Sequence, residues 1–223
     1  MAIELDPKFS DAYNNRGLSK EKLGNDTGAL QDYNKAIELD TKYSYAYLNR
    51  GILKSKLGDD NVAIKDFNKA IELDPKLSDA YYYRGLSKFG LGDFSNAIQD
   101  YNTAIELDPK YSAAYYNRGL SKEKLDDFRG AIQDYNTAIK LDPKLSVFYF
   151  LRAHAKEKLY DYAGVMKDYN KAIELDPKFN TAYYNRGLLK LLLRDINGAC
   201  LDWSKAGELG YKQAYELIKQ YCK

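Results

Sequence analysis

The sequence predicts an all-α solenoid in which helix pairs stack one on the next. The first observation is a period of 34 residues, and the second is a set of helix-breaking residues at fixed phases of that period. The motif Leu-Asp-Pro-Lys begins at Leu5, Leu73, Leu107, Leu141 and Leu175. All five prolines therefore share one phase. So long and regular a period is typical of repeats that bury their apolar faces against neighbouring repeats.

Six repeats follow when Ser10 is taken as position 1 of the first. We expect one solenoid domain over residues 1–223, with repeats at 10–43, 44–77, 78–111, 112–145, 146–179 and 180–213. Residues 2–5 match positions 27 to 30, so residues 1–9 are predicted to be the remnant of a preceding repeat. A capping helix is predicted at about 212–222. The chain is therefore expected to be cut from a longer array or to begin with an uncapped edge.

Each repeat is predicted to contain two helices. The first should begin at a Ser or Asn N-cap, and its positions 4, 7, 11 and 14 share the face that meets the second helix. Gly24, Gly58 and Gly92 supply C-caps, and an Asn or Asp at position 16 caps the second helix. That helix should end at position 30, because Asp-Pro follows in most repeats and proline prevents continuation.

The formal net charge of the chain is only +2. This near-neutral charge gives no electrostatic reason to expect nucleic acid or an anionic membrane as a partner. The apolar stretch from Leu188 to Leu193 is interrupted by Lys190 and is far too short to span a bilayer. No signal peptide is predicted. We therefore expect neither a membrane nor a nucleic-acid partner, and a cytoplasmic location by default.

The two cysteines, Cys200 and Cys222, lie near the C-terminus and lack the spacing of a metal site. We expect two reduced thiols. The alternative is that the two helices carrying them run antiparallel and side by side, in which case a disulfide could form in an oxidising compartment. No cofactor and no metal are expected.

The repeat resembles the tetratricopeptide repeat, whose signature is W-x2-L-G-x2-Y, then A-x3-F, then P. Six copies in register carry the resemblance over essentially the whole chain, and the first copy is Tyr13-x2-Arg16-Gly17-x2-Lys20, then Ala29-x3-Tyr33. The resemblance implies a right-handed superhelix of antiparallel helix pairs, with the first helices lining a concave groove. In this family the groove usually holds a peptide or a partner protein.

Two departures from the signature recur in every repeat. Arg replaces its Leu at position 7, and Lys replaces its second Tyr at position 11. Both would face inward, where an unpaired cation is costly, so an aspartate at position 23 is the predicted partner. The expected ion ladder comprises Arg16, Arg50, Arg84, Arg118, Arg152 and Arg186 with Asp32, Asp66, Asp100, Asp134, Asp168 and Asp202. The alternative is an anion-binding row of arginines, although their position on the helical wheel is wrong for the groove.

The remaining arc of the first helix would face the groove. Position 6 is mostly asparagine, whose amide can donate to and accept from an extended peptide backbone. The alternative is a set of polar residues on a hydrated helix face. Positions 5 and 9 become more aromatic and apolar towards the C-terminal half, which is typical of a binding surface. The candidate groove residues are Asn15, Asn49, Asn117, Asn185, Tyr82, Tyr83, Tyr116, Leu120, Phe150, His154, Tyr184 and Leu188.

Repeat five departs most from the pattern. Ala153 replaces a glycine and Phe148 replaces an alanine, so a local change in helix spacing is predicted. His154, the only histidine, lies on the groove arc and is predicted to be a contact residue. No nucleophile, paired base or metal set accompanies it, so no enzyme activity is predicted.

We therefore predict a non-catalytic scaffold that binds an extended peptide segment of a partner protein in its groove. Two alternatives stay open. One is self-association through the N-terminal edge, which would produce a homo-oligomer. The other is a targeting array cut from a larger enzyme. The residues do not identify the partner.

Overall fold

First and second helices alternate along the chain with the 34-residue period. The structure is a computed structural model, and it describes residue 6 and residues 8–222. These residues form helices and turns with no strand among them, which confirms the predicted all-α class. The predicted remnant of a preceding repeat rests on residues 2–5, which lie outside the described residues.

The helices match the predicted pairs. The first helices are α1 (Ser10–Lys22), α3 (Ser44–Lys56), α5 (Ser78–Gly90), α7 (Ser112–Lys124), α9 (Ser146–Lys158) and α11 (Asn180–Leu192). The second helices are α2 (Asp26–Leu39), α4 (Asp60–Leu73), α6 (Phe94–Leu107), α8 (Phe128–Leu141), α10 (Tyr162–Leu175) and α12 (Ile196–Glu208). A shorter helix, α13 (Ala214–Tyr221), follows where the capping helix was predicted.

The chain divides into two compact units, one up to Ser121 and one from Lys122. In the first unit α1 packs on α2, α3 on α4 and α5 on α6, and each pair packs on the next. In the second unit α9 packs on α8 and α10, α11 packs on α10 and α12, and α13 packs on α12. The boundary falls inside α7, and one solenoid domain over residues 1–223 stays a prediction.

An aromatic side chain at position 24 of each second helix is buried, between buried alanines or a valine of the same helix. The ring of Tyr101 lies against Gly85 of the first helix, where an added Cβ would meet Tyr101 Cε1 at 2.7 Å. The glycine therefore permits the close approach of the two helices. In repeat five, Ala153 and Val165 pack with Tyr169 instead, and all three are buried.

First and second helices are capped differently. The side chain of the N-cap residue of five second helices accepts a hydrogen bond from the backbone N–H three residues later, as Asp127 does from Gly130 at 2.9 Å. The N-caps predicted for first helices, such as Ser44, are instead the first helical residues, and the apolar residue before them caps without a side-chain bond. That prediction was wrong because an aspartate closes the preceding turn, as Asp74 does by accepting from the Lys76 N–H at 3.0 Å.

The turn inside each repeat contains a left-handed residue at position 15. The residue is Gly24, Gly58 and Gly92 in repeats one to three, and Asp126, Tyr160 and Arg194 in repeats four to six, with φ of 60°, 59° and 65° in the latter three. A residue with a Cβ loses about 1–2 kcal/mol in this conformation. Repeats four to six are therefore expected to carry a local backbone cost that repeats one to three avoid.

We expect Arg194→Gly to raise the free energy of unfolding by about 1 kcal/mol, because glycine adopts the left-handed conformation without that cost. Asp126→Gly should gain less, since aspartate tolerates this conformation better. The matched control is Gly24→Ala, which should lose about 1 kcal/mol even though its Cβ would meet nothing within 4 Å. Chemical denaturation measures all three, and a less stable Arg194→Gly variant would contradict the assignment.

Candidate functional site

A buried aspartate on each second helix binds cations of the preceding first helix. In repeat three, Asp100 Oδ1 accepts from Arg84 Nη2 at 2.6 Å, while Oδ2 accepts from Arg84 Nε at 2.9 Å and lies 2.7 Å from Lys88 Nζ. The corresponding pairs are Arg16–Asp32, Arg50–Asp66, Arg152–Asp168 and Arg186–Asp202, with Nη2–Oδ1 distances of 2.6 or 2.7 Å. The lysines that lie 2.8 Å from the aspartate of their repeat are Lys20, Lys54, Lys122, Lys156 and Lys190. In repeat four only the lysine pair lies within one unit, because Arg118 belongs to the first unit and Asp134 to the second.

Each of these arginines has partners that the sequence reasoning missed. Arg84 Nη1 donates to Asn68 Oδ1 of the preceding repeat at 2.7 Å, and its guanidinium lies 5.5 Å from the ring centroid of Tyr81. The same asparagine contact, at 2.6 or 2.7 Å, joins Arg50 to Asn34, Arg118 to Asn102, Arg152 to Asn136 and Arg186 to Asn170. A signal existed, because asparagine recurs at position 25 in five repeats. The arginine therefore links consecutive repeats through its planar donor set.

These contacts pair the charged side chains that recur in the repeat, the arginine, lysine and aspartate at positions 7, 11 and 23. Burial opposes ionisation of Asp32, but hydrogen bonds from Arg16 and Lys20 outweigh it and hold the pKa of Asp32 below its ordinary value. The stabilisation is therefore present at neutral pH and is lost as the pH falls through that lowered pKa. The arginines are engaged within the scaffold, which argues against the anion-binding row.

The asparagines predicted to contact a peptide differ in accessibility. Asn15 is exposed, whereas Asn49 is half-buried and its Nδ2 donates to Asn14 Oδ1 at 2.9 Å. Asn117 is only 8% exposed, and its Nδ2 donates to the Tyr82 hydroxyl at 3.1 Å and to a carbonyl one turn earlier at 2.9 Å. The amide N–H groups of Asn117 are therefore already used inside the first unit. The asparagines of the first unit therefore do not form a row in which every amide is equally accessible to a peptide.

An aromatic cluster around Tyr82 covers part of the first-helix face in the first unit. The Tyr82 ring centroid lies 4.7 Å from that of Tyr111 and 5.2 Å from that of Tyr83. Burial raises the pKa of Tyr82 to about 12. Tyr116 and Leu120, which were also predicted to face the groove, are half-buried. These side chains present a packed apolar surface with polar edges.

A cleft of about 290 Å³ opens between the first helices α1 and α3. Its lining consists of the apolar Leu18 and Ile52 and the polar Glu21, Lys22, Asn49 and Lys56. Leu18 and Ile52 both occupy position 9, which the sequence assigned to the groove arc. Lys56 Nζ lies 3.6 Å from the Glu21 carboxylate, so these two charges neutralise each other and Lys22 leaves the lining with one net positive charge.

The first helices of the second unit also present aromatic side chains. The ring of Phe150 lies 4.9 Å from Phe179 and 5.8 Å from Tyr169, and Tyr184 lies 4.7 Å from Tyr211. Each of these groove candidates packs against an aromatic residue of a neighbouring element, so it is held in place rather than projecting alone.

Three further groove candidates lie on α9 and α11. Leu188 is exposed, and Asn185 and His154 are half-buried. The nearby helix α10 carries no predicted groove residue. The predicted groove residues of the second unit therefore all lie on first helices, and all of them keep some accessible surface.

The two cysteines are joined by a disulfide, with Cα atoms 5.7 Å apart. Cys200 lies on α12 and Cys222 directly follows α13, which packs back on α12. The expectation of reduced thiols was wrong, because this packing brings the two side chains together. The disulfide attaches the last helix to the last repeat.

No group of three or more His, Cys, Asp or Glu side chains suited to a metal occurs in the part of the chain that the structure describes. No helix among residues 8–222 is long and apolar enough to cross a membrane. The first-helix face thus offers aromatic, aliphatic and amide groups, which is the chemistry of a binding surface.

The sequence matches the tetratricopeptide repeat family over most of its length. Residues 10–43 and 112–145 and residues 147–179 match as tetratricopeptide repeats, and residues 55–92 and 85–126 match as TPR repeats. The chain therefore belongs to the tetratricopeptide repeat family, and its fold is the α-helical solenoid of that family. No curated protein sequence matches the chain.

Solved structures share the fold. MamA is 28% identical with a TM-score of 0.68, covering 76% of this chain and 92% of MamA. PilF of Pseudomonas aeruginosa is 18% identical with a TM-score of 0.82, covering 95% and 97% of the two chains. YrrB, described as a TPR protein with an unusual peptide-binding site, is 21% identical with a TM-score of 0.70, covering 84% and 97%. The likeness to PilF and YrrB shows the fold alone.

Proposed function

We propose that the first helices of this chain bind an extended segment of a partner protein. The observation that carries the proposal is the cleft between α1 and α3, which combines the apolar Leu18 and Ile52 with the amide of Asn49. Clefts with apolar walls and a few polar groups suit ligand binding. Because the constant charges of the repeat are paired within the scaffold, the variable first-helix positions are the ones available to a ligand.

The spacing of the repeats suits an extended peptide. Packed helices lie about 8–10 Å apart, and an extended chain advances about 3.3 Å per residue. Each repeat would then contact about three ligand residues. The peptide-binding site named for YrrB supports a peptide as the ligand class for this fold.

Asparagine contacts to the peptide backbone form a smaller part of this proposal than the sequence suggested. Asn15 is exposed on α1, and Asn49 lines the cleft and keeps accessible surface although its Nδ2 donates to Asn14, whereas both amide N–H groups of Asn117 are used inside the first unit. Asn185, half-buried on α11, is the corresponding group of the second unit. We therefore assign backbone recognition to Asn15, Asn49 and Asn185 and a structural role to Asn117.

The scaffold we propose is non-catalytic. Self-association through the N-terminal edge and a targeting array stay open as alternatives, and residues 2–5, on which the open edge was predicted, lie outside the described residues. Peptide binding is the function that a specific surface of the described chain supports.

We expect Leu18→Ser combined with Ile52→Ser to weaken peptide binding at least about tenfold, because each change removes apolar contact worth about 1 kcal/mol. The probe is the tightest 12-residue peptide selected from a displayed random library, and calorimetric titration measures its affinity. The matched control is Val62→Ser on α4, where Val62 is 41% exposed. Circular dichroism should match wild type for both variants. Equal affinities of the cleft variant and the wild type would contradict the proposal.

A further inference from the structure

His154 is bound to a buried carboxylate on the first-helix face of repeat five. Its Nδ1 lies 2.9 Å from Glu123 Oε2, and the Glu123 side chain is only 9% exposed. The other carboxylate oxygen, Oε1, accepts a hydrogen bond from the Tyr135 hydroxyl at 2.8 Å. Because a carboxylate accepts and does not donate, this contact places a proton on Nδ1 in both charge states of the ring.

The remaining ring nitrogen, Nε2, is the one left to contact a ligand. The His154 side chain keeps 44% of its surface exposed, so a ligand on the first-helix face can reach it. With Nδ1 protonated, Nε2 is a donor when the ring is charged and an acceptor when the ring is neutral. The ring therefore changes the kind of group it can bind when it titrates.

The charge on His154 depends on few neighbours. The hydrogen bond to Glu123 raises the pKa of His154 above its ordinary value, although burial opposes this. On α9 itself, Lys158 lowers the pKa and Glu157 raises it, and both are smaller effects than that of Glu123. The imidazolium is therefore present below the raised pKa and is lost as the pH rises through it.

The Tyr169 hydroxyl is a second polar group of the same repeat, and it is buried. The Tyr169 side chain is 1% exposed. Burial raises the pKa of Tyr169 most, Glu157 raises it further and the Asn185 amide lowers it, so the hydroxyl lies near side chains of both α9 and α11.

The tyrosine hydroxyls at the same position of other repeats can be compared with that of Tyr169. In repeats one and four, Tyr33 and Tyr135 occupy the same position as Tyr169 and donate to a glutamate of the first helix at 3.1 and 2.8 Å. The hydroxyls of Tyr101 and Tyr169, in repeats three and five, make no such bond and are both buried. The feature particular to repeat five is therefore the anchored histidine.

We propose that repeat five recognises an acidic side chain, aspartate or glutamate, of the bound peptide through Nε2–H of charged His154. This inference rests on the proposed peptide-binding function and names one feature of its ligand. The imidazolium donates to the ligand carboxylate. Neutral His154 turns a lone pair towards the carboxylate and repels it. Acidic ligands are therefore held at pH 6 and released at pH 9.

Because His154 is the only histidine, ¹⁵N-histidine NMR reports this ring alone. We expect the neutral form to carry its proton on Nδ1. Glu123→Gln should lower the pKa and move the proton towards Nε2, which a merely structural role for Glu123 would not do. Titration with N-acetylglutamate amide should shift the Nε2 signal saturably at pH 6 and leave it unchanged at pH 9. The glutamine analogue should cause no shift at either pH.

The second arm uses peptides. A peptide of about 18 residues, which at about three residues per repeat covers six repeats, is selected and synthesised in matched glutamate and glutamine versions at its acidic position. The glutamate version should bind about tenfold more tightly at pH 6 and equally at pH 9, because only the charged ring makes a charge-assisted bond. In His154→Leu the preference at pH 6 should disappear. This variant is expected to fold, because leucine stands at the same position in Leu18, Leu86, Leu120 and Leu188.

The outcomes separate this inference from the proposed function. Tight peptide binding without a glutamate preference would overturn the acid contact and leave peptide binding intact. A glutamate-dependent Nε2 shift without peptide binding would support the acid contact and contradict the proposed function. An absence of both the shift and the preference would overturn the inference.

Discussion

Asp100→Asn is expected to lower the free energy of unfolding by about 3 kcal/mol. The change leaves Arg84 and Lys88 without the carboxylate they share, and removing one partner of a buried ion pair costs about 3–5 kcal/mol. We place the effect at the lower end because the Arg84 and Lys88 side chains keep 19% and 21% of their surface exposed and can partly rehydrate. Urea denaturation measures the loss.

Two variants of the same chain calibrate that result. Asp32→Asn removes the equivalent carboxylate of repeat one, but Arg16 is 45% exposed, so the loss should be closer to about 1 kcal/mol. Glu72→Gln removes a surface ion pair with Lys69. The Lys69 side chain is 38% exposed and that of Glu72 is 68% exposed, so the free energy of unfolding should change by less than about 0.5 kcal/mol. Equal effects of Asp100→Asn and Glu72→Gln would contradict a structural role for the ladder.

Replacing all three charged groups tests the physical cause. The triple variant Arg84→Leu, Lys88→Leu and Asp100→Leu removes the cations together with the carboxylate. It should recover much of the stability lost in Asp100→Asn, because apolar substitutes of a buried ion cluster are often tolerated. Asn68 would lose its arginine donor in this variant, so complete recovery is not expected.

Loss of the Cys200–Cys222 disulfide should lower stability by about 3 kcal/mol, with the effect concentrated in α13. The two residues are 22 positions apart, and a closed loop of this length restricts the unfolded chain by about that amount. The helix has only eight residues and would be marginal alone. Its remaining contacts include Ala214, which is wholly buried, and Tyr221, whose ring lies 5.9 Å from that of Trp203.

Hydrogen exchange with and without reductant checks this prediction. Reduction should remove amide protection from α13 first and lower the thermal midpoint, while α9 and α10 keep theirs. The control is the double variant Cys200→Ser and Cys222→Ser, on which the reductant should have no effect. An unchanged midpoint for the wild type under reduction would contradict the disulfide's contribution.

The sequence was sufficient for the helix pairs and for the Arg–Asp contacts. A single repeat carries both signals: Asp-Pro and glycine end the helices, and Arg16 on an inward face requires an anion such as Asp32. Such local rules act within one repeat and do not depend on how repeats are staggered.

Contacts between repeats were harder to predict. The bond from Arg84 to Asn68 and the bond from Asn117 to Tyr82 depend on the stagger of neighbouring repeats and on side-chain rotamers, which a helical wheel of one repeat does not contain. The same limitation concealed the loss of a ligand-facing amide at Asn117. A comparison of recurring polar residues across repeats, rather than within one, would have identified position 25.

The leucine of position 14 was assigned wrongly. The sequence placed it on the packing stripe, but Leu23, Leu57 and Leu91 are 85%, 50% and 47% exposed. They are C-cap residues, where the chain leaves the helix and the 100° periodicity no longer sets the side-chain direction.

Mapping a bound peptide by NMR tests the central claim most directly. The selected 12-residue peptide, titrated into isotope-labelled protein, should shift the methyl signals of Leu18 and Ile52 and leave that of Val62 unchanged. The shifts should follow the variable positions of first helices, while the signals of the Arg–Asp pairs stay constant. Shifts concentrated on the second helices, or none on α1 and α3 at saturation, would contradict the account.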